Sequence, residues 1–281
     1  AATVAPPGAF TLAPYAGLGT WLDVYDWSMT YARGRTEPAV GLIHIHRMAQ
    51  LGVQTLYIQA SKWDAPTDVL EPERLVPLMA EARKLGMSVV VWYLPTLEDP
   101  AADLRRLLAI AALDVDGLAV DIESTKVPDP AERSRRLIDL SAALRAALPG
   151  RAIGAIPLDP VTIEVINPRF WPGFPWRELA PLYDVWMPMA YWTFRKQSSG
   201  YRDGYRYTAE NIDRTRANLG NPTAPVHALG GIGDQATPEQ VDGMLRAAAE
   251  RRAVGGSLYD YRTTHDALWP GLQGFRTPPP G

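Results

Sequence analysis

Two acidic residues in one apolar segment have the type and spacing for acid catalysis. Asp121 and Glu123 end the run Asp-Gly-Leu-Ala-Val-Asp-Ile-Glu at residues 116–123. Because side chains alternate across a strand, both acids would share one face, with their Cα atoms about 6.6 Å apart. A charged Asp121 would then raise the pKa of Glu123, which suits a general acid that protonates a leaving oxygen. The alternative is a salt-bridged pair that closes a strand end.

The elements that must position this pair are those of a single α/β domain. Eight short apolar segments alternate with helical ones, which indicates parallel strands covered by helices. About 250 residues suffice for a (β/α)8 TIM barrel, so we predict one barrel over 1–281, with an extension at 1–17 and a proline-rich tail at 277–281. Helices are predicted to start at Pro38, Pro100, Pro130 and Pro238. The predicted strands are Thr20–Asp26, Val53–Gln59, Met87–Leu94, Gly117–Glu123, Ala152–Leu158, Asp184–Tyr191, Pro225–Gly230 and Gly256–Tyr261.

Other candidate site residues lie near the carboxyl ends of the predicted strands, where barrel active sites form. Asp23 is either a substrate contact, a second carboxylate or a buried polar residue of the core. The candidate substrate-binding residues are Trp21, Asp23, Gln59, Trp92, Tyr191, Trp192, Tyr259 and Asp260.

Seven of the nine tryptophans are expected near one rim, where their indole rings would line a glycan cleft. The alternative is that these large aromatic side chains plug the barrel and cover loops. They are Trp21, Trp27, Trp63, Trp92, Trp171, Trp176 and Trp192.

The segment 193–207 holds four cationic side chains and three tyrosines, namely Arg195, Lys196, Arg202, Arg206, Tyr201, Tyr205 and Tyr207. It is either a lid over an acidic glycan, such as one with lactyl or uronic carboxylates, or a solvated surface loop.

Around the acid pair the chain resembles glycoside hydrolase family eighteen, the chitinase-like family. The signature Asp-x-x-Asp-x-Asp-x-Glu is matched at Asp116, Asp121 and Glu123, while Ala119 replaces the second Asp. The resemblance implies that Glu123 is the proton donor and that Asp121 orients an acetamido group of the substrate. The family's Met-x-Tyr-Asp appears at 189–192 with Trp in place of Asp, which implies that Tyr191 bonds the reacting sugar. The family's Ser-x-Gly-Gly on strand three is absent.

A second resemblance is to the lysozyme-like muramidase family twenty-five, which also places Asp-x-Glu on strand four. Its strand one is comparable to Asp23-Val24-Tyr25, and its strand six to Val185-Trp186. Both families cleave sugars that carry N-acetyl groups.

Composition excludes several other classes of function. A net charge of −3 argues against nucleic acid or an anionic membrane as the main partner. No apolar run approaches the roughly 18 residues of a membrane span. Without cysteine, a metal-ligand motif or a dinucleotide loop, we expect neither a metal nor a cofactor. The first eight residues are typical of a mature N-terminus after signal-peptide removal, so we expect a secreted or cell-surface protein. We also expect the protein to be a monomer.

The sequence therefore predicts a retaining glycoside hydrolase that acts on a polysaccharide or oligosaccharide. Asp121 lies on the same strand and face as Glu123, so it is poorly placed to activate a water on the opposite face of the sugar. The group that attacks would be the substrate's acetamido oxygen or a carboxylate across the barrel, with Asp23 and Asp260 the first candidates. The alternative is a glycan-binding TIM barrel that has lost hydrolysis.

Overall fold

The chain folds into one (β/α)8 barrel, which the computed structural model describes for residues 10–277. The parallel strands follow one another in chain order from β1 to β6, with β8 and β7 on the other side of β1. Trp186 N–H donates to Pro225 O at 3.0 Å and Ala190 N–H to Leu229 O at 3.0 Å, which closes the ring between β6 and β7. The strands are β1 Gly17–Leu22, β2 Thr55–Gln59, β3 Ser88–Tyr93, β4 Gly117–Ile122, β5 Ile153–Pro157, β6 Val185–Trp186, β7 His227–Ile232 and β8 Gly255–Tyr259.

Helices cover the outside of the barrel. None of those between residues 10 and 277 combines the length and apolarity needed to cross a bilayer. They are α1 Val24–Trp27, α2 Leu42–Gln50, α3 Pro72–Lys84, α4 Pro100–Ala111, α5 Pro130–Ala147, α6 Trp176–Leu179, α7 Gly204–Leu219, α8 Pro238–Glu250 and α9 Trp269–Leu272, with a π-helical segment at Val161–Ile166.

Three of the four predicted helix starts are confirmed, and each follows a capping side chain. Asp99, Asp129 and Thr237 accept hydrogen bonds from main-chain N–H groups of the first turns of α4, α5 and α8. The start at Pro38 is wrong, because α2 begins at Leu42. Val40 N–H is bonded to Asp26 O at 2.9 Å, which keeps this stretch tied to α1 instead of helical.

The predicted first strand is too long at its carboxyl end. β1 ends at Leu22, and Asp23 caps the short helix α1 by accepting a hydrogen bond from Tyr25 N–H at 2.7 Å. The predicted sixth strand is also shorter, at Val185–Trp186, with single bridges at Met189 to β7 and to Leu158. The comparison of Asp23-Val24-Tyr25 with a muramidase strand therefore does not hold.

Side chains pack in two layers, one between the strands and the helices and one inside the barrel. The alternation of side chains between these layers that the sequence predicts for β4 is confirmed. Leu118, Val120 and Ile122 pack against the helices, while Ala119 lies in the barrel interior. Gly19 in β1 leaves the space that the Tyr57 ring fills, since a Cβ there would lie 2.6 Å from that ring.

The residues before β1 belong partly to the barrel. Tyr15 is fully buried beneath it, and its hydroxyl donates to Leu118 O at 2.7 Å. Thr277 N–H donates to the Gln54 side chain at 2.9 Å. The rest of the predicted extension and tail, at 1–9 and 278–281, lies outside the described residues.

Candidate active site at the barrel mouth

The acid pair lies at the carboxyl end of β4. Asp121 is the penultimate residue of the strand and Glu123 follows its last residue. Only 6% of Asp121 is exposed, and its Oδ1 is buried without a hydrogen-bond partner among the described residues. A buried, unpaired carboxyl oxygen is costly, which is a reason to expect that a ligand group binds it.

Burial sets the protonation of both acids. Removal from water raises the pKa of Asp121 well above its ordinary value, and the nearby Glu123 carboxylate raises it further. Burial also raises the pKa of Glu123. The raised pKa predicted for Glu123 is present, but its main cause is burial and not the charge of Asp121. The repulsion between the two carboxylates instead raises the pKa of Asp121. The more deeply buried Asp121 therefore holds its proton longer.

Aromatic rings form the floor beneath the pair. Trp21 stacks on Tyr57 with ring centroids 4.2 Å apart, and its centroid lies 6.1 Å from that of Trp92. Trp92 Nε1 is buried and has no hydrogen-bond acceptor among the described residues. Ala119 is fully buried among these rings, so the position where the family signature has its second Asp is occupied by apolar packing.

A hydrogen-bonded relay fixes the Trp21 indole from below. Trp21 Nε1 donates to Ser257 Oγ at 2.8 Å, and the Ser257 hydroxyl lies 2.8 Å from His227 Nε2. His227 Nδ1 lies 2.9 Å from Tyr15 O, which can only accept, so Nδ1 carries the proton and Nε2 accepts from Ser257. Burial lowers the pKa of His227 to about 4, and the ring is therefore neutral at physiological pH.

A second acidic group lies at the ends of β1 and β8, across the barrel from β4. Oxygen atoms of Asp23, Asp26 and Asp260 all lie within 4.8 Å of one another. Burial, followed by the charges of Asp23 and Asp260, raises the pKa of Asp26 to about 7. Burial also raises the pKa of Asp23.

Protein groups already occupy much of this cluster. Asp26 accepts from Arg262 at 3.1 Å, and Asp260 accepts from Thr263 N–H at 2.9 Å. The Asp23 carboxylate accepts from the Tyr259 hydroxyl at 3.1 Å as well as from the N-terminal turn of α1. The arrangement is that of an internally hydrogen-bonded cluster with one cationic partner.

The remaining predicted contacts divide into two groups. Tyr191 and Tyr259 are half-buried with ring centroids 5.9 Å apart, so they lie together between the two acidic groups. Gln59 instead holds the turn after β1, since its side-chain oxygen accepts from Val24 N–H at 3.2 Å. Trp192 is fully buried and donates to Gln240 of α8 at 3.1 Å, which leaves no surface for a sugar.

The predicted rim of tryptophans is largely absent. Trp27, Trp171 and Trp176 are buried in the outer layer, as the plugging alternative expects. Trp63 is different, because 43% of it is exposed. Trp21 and Trp92 are buried as well, at 1% and 5% exposed, beneath the acid pair, so Trp63 alone of the seven predicted tryptophans presents its ring at the surface.

Sequence reasoning did not identify the relay or the third acid of the cluster. His227 and Ser257 are inward residues at the start and middle of β7 and β8, and the same alternation that selected Asp121 would have found them. The sequence predicts Asp26 at the end of the first strand, whereas in the structure it lies in α1. The turn of the chain into α1 brings its carboxylate close to that of Asp260.

No family model and no curated protein matches the sequence. Solved structures with a similar fold include a family GH18 chitinase from Cycas revoluta in complex with allosamidin, with 14% identity, a TM-score of 0.66, and coverage of 92% of this chain and 99% of that one. The Bacillus cereus spore cortex-lytic enzyme SleL has 9% identity, a TM-score of 0.67, and coverage of 93% and 74%.

A GH5 endoglucanase from Clostridium longisporum has 14% identity, a TM-score of 0.62, and coverage of 95% and 100%. At these identities the likeness shows the fold alone, which is a (β/α)8 barrel. It supports the chitinase-like resemblance and not the muramidase one.

Proposed function

We propose that the protein is a retaining glycoside hydrolase, with Glu123 as general acid and base and Asp121 as the residue that positions and stabilises the reacting groups. The observation that carries the proposal is the acid pair itself. Two carboxyl groups with raised pKa lie at the end of β4, and one buried oxygen of Asp121 lacks a hydrogen-bond partner within residues 10–277. Such groups at the carboxyl ends of barrel strands are typical of catalytic sites.

The protonation order suggests how the pair works. Glu123 protonates the glycosidic oxygen and becomes a carboxylate. Asp121 still holds its proton at that moment and can donate a hydrogen bond to the new charge. Two like charges are then never required together in a buried site. Glu123 later takes a proton from the incoming water and is restored.

Attack on the anomeric carbon needs a second group. In an N-acetylated substrate the acetamido oxygen would serve, with Asp121 and Tyr191 beside it. In other substrates a carboxylate across the mouth would serve, and Asp23 and Asp260 are the candidates at the ends of β1 and β8. Both routes retain the anomeric configuration.

A non-catalytic glycan-binding barrel is the second candidate, and one observation favours it. Ala119 packs among the floor rings, so Asp121 lacks the carboxyl neighbour that the family signature provides. A barrel of this kind would bind glycans without cleaving them.

The deciding experiment measures release of reducing ends from chitin, peptidoglycan, galactosaminoglycan and mycobacterial-type glycans. Proton NMR of the first product then reports its anomer. Retained products that appear only with an intact Glu123 support the proposal. Glycan binding without new reducing ends would favour the second candidate, and an inverted product would exclude a retaining mechanism.

A further inference from the structure

Negative charge is concentrated at the mouth of the barrel. Six carboxyl groups lie at or just after the carboxyl ends of β1, β4, β5 and β8. Five of them form the two acidic groups described above, and the sixth belongs to Asp159, which follows β5 by two residues and is 2% exposed. The six are Asp23, Asp26, Asp121, Glu123, Asp159 and Asp260. The face that carries the proposed hydrolase site is therefore rich in acids.

Two tyrosines show that these acids surround one space. Tyr191 and Tyr259 have ring centroids 5.9 Å apart. Burial raises the pKa of the Tyr191 hydroxyl well above its ordinary value, and four carboxylates raise it further, namely those of Asp121, Glu123, Asp260 and Asp159. Burial and the charge of Asp23 act in the same way on Tyr259, whose hydroxyl donates to Asp23 Oδ2 at 3.1 Å. Carboxyl groups from the ends of four strands therefore act on the same pair of rings.

Two guanidinium groups offset part of this charge. Arg262 donates to Asp26 at 3.1 Å. Burial raises the pKa of Asp159, and the charge of Arg195 opposes this rise. The six carboxyl groups therefore outnumber these two cations by three to one.

Other cationic side chains near the mouth are bonded within the surrounding loops. Lys126, in the loop after β4, pairs with Glu98 at 3.2 Å. Arg202, in the segment 193–207, donates to Thr193 O at 2.8 Å. These bonds hold the two cations to partners outside the six carboxyl groups.

One oxygen atom among the six carboxyl groups lacks a donor. Asp121 Oδ1 is buried and accepts no hydrogen bond from residues 10–277, and only 6% of Asp121 is exposed. An ammonium group offers three N–H donors together with a positive charge, which stabilises neighbouring carboxylates. A sugar hydroxyl or acetamido group offers a donor without a charge and would leave the repulsion among the acids unchanged. The surroundings of Asp121 are therefore better suited to an ammonium group than to a neutral one.

We propose that the mouth binds a polysaccharide of amino sugars whose amino groups are free and protonated, with one ammonium group beside Asp121 and others beside the acids at the ends of β1 and β8. A sugar with a free ammonium group has no acetamido oxygen, so the carboxylate route of the proposed function applies to it. This inference rests on the proposed hydrolase site for the cleavage, but the binding can be tested without it.

The test compares polymers that share a backbone and differ in N-acetylation. Glycol chitosan carries free amino groups, and its N-acetylated product, glycol chitin, is neutral. Polygalactosamine and its N-acetylated product form a second pair. Isothermal titration calorimetry at pH 6 gives the Kd for each polymer. We expect the wild type to bind at least one amino polymer about tenfold or more tightly than its acetylated counterpart, because only the amino form brings positive charge to the acids.

Charge variants locate the binding. Asp23→Asn with Asp260→Asn removes two charges but keeps the side-chain oxygens that accept main-chain hydrogen bonds. We expect most of the preference for the amino polymer to be lost, with a much smaller change for the acetylated one. Asp260→Asn alone should lose part of the preference, and it replaces the double variant if that one unfolds.

A matched control removes two charges from the opposite end of the barrel. Asp114 and Glu250 are exposed, in the turn before β4 and at the last residue of α8. Asp114→Asn with Glu250→Gln changes the net charge by the same amount as the mouth variant and should keep the preference.

Four results would overturn the inference. They are no preference for either amino polymer in the wild type, an equal loss of preference in the control variant, equally tight binding of polylysine, and stoichiometric binding of Ca²⁺ or Mn²⁺ that the mouth variant loses. Equal binding of polylysine would show that charge is recognised without the sugar, and the metal result would assign the acids to a cation.

Reducing-end release is measured on the same polymers. Tight binding of an amino polymer without release would remove the hydrolase proposal alone. Glu123-dependent release from the acetylated polymers only would remove this inference alone.

Discussion

At the scale of single residues, Glu123 is the side chain on which the proposed hydrolase and the glycan-binding barrel differ, because it is the proposed general acid. Glu123→Gln keeps the size of the side chain but removes the proton donor. We expect the rate of reducing-end release to fall by about 10²–10⁴-fold, as is typical for loss of a general acid. Glu73→Gln, exposed on α3, is the matched control and should keep full activity. A folded Glu123→Gln variant with wild-type turnover would remove Glu123 from the mechanism.

Asp121 gives a second prediction, because its charge state decides how it acts. Burial and the Glu123 carboxylate both raise the pKa of Asp121, so it is uncharged while Glu123 titrates. Asp121→Asn is also uncharged, and we expect the basic limb of the pH profile of kcat/KM to stay at the same pH. A limb lowered by one pH unit or more would mean instead that Asp121 is charged and itself raises the pKa of Glu123.

Individual residues were predictable where alternation alone decides their direction. The inward placement of Asp121 follows from the apolar residues that flank it in β4, and the structure confirms that pattern. The placement of Trp192 did not follow, because its chain leaves β6 after two paired residues and turns outward onto α8. The neighbouring position of Tyr191 in the sequence therefore did not predict where the Trp192 side chain lies.

At the scale of elements, β1, β7 and β8 are joined inside the barrel by the relay from Trp21 through Ser257 to His227. Ser257→Ala would leave Trp21 Nε1 and His227 Nε2 buried without partners. Each unsatisfied group costs about 1–3 kcal/mol, so the free energy of unfolding should fall by at least that amount. Urea unfolding followed by tryptophan fluorescence measures the loss and any change around Trp21.

The outer layer supplies a matched control for this relay. Ser134 accepts from Trp171 Nε1 at 2.9 Å, but it is half-buried and bonds no histidine in the described structure. Ser134→Ala should therefore cost less, because water can replace part of the lost bond. Equal losses in the two variants would show that the relay through His227 adds nothing beyond a single serine–tryptophan bond.

The number and order of the strands could be predicted from the sequence, but their lengths could be predicted less well. The alternation of apolar and helical segments is enough to predict eight strands, and proline after a capping residue places α4, α5 and α8. The end of β1 was not predictable from hydrophobicity, since Val24 and Tyr25 continue the alternating pattern while Asp23 begins a helix. A capping side chain outweighs strand propensity there, because it satisfies main-chain N–H groups that β2 does not pair.

At the scale of the whole molecule, the buried ionisable groups make the free energy of unfolding depend on pH. For Asp26 the pKa rises from 3.8 to about 7 on folding, so its contribution to stability is present below pH 3.8 and is lost as the pH rises to 7. For His227 the pKa falls from 6.5 to about 4, so its contribution is present above pH 6.5 and is lost as the pH falls to 4. The two oppose each other between pH 4 and 6.5.

The other buried acids decide which effect prevails. Burial also raises the pKa of Asp23, Asp103, Asp121, Glu123 and Asp159. All of them act in the same direction as Asp26 and in the direction opposite to His227. We therefore expect the free energy of unfolding to be greatest on the acidic side of neutrality and to fall between pH 5 and pH 8.

Substitution of Asp26 isolates one part of this fall. Of the rise from 3.8 to about 7, only the part above pH 5, about two pH units, contributes between pH 5 and pH 8. It corresponds to roughly 3 kcal/mol, so Asp26→Asn should reduce the difference in unfolding free energy between those two pH values by up to that amount. Urea unfolding at the two pH values gives the difference, with Asp234→Asn, exposed in the loop after β7, as the control. Retention of the full wild-type difference by Asp26→Asn would show that Asp26 remains charged in the fold, with Arg262 neutralising it.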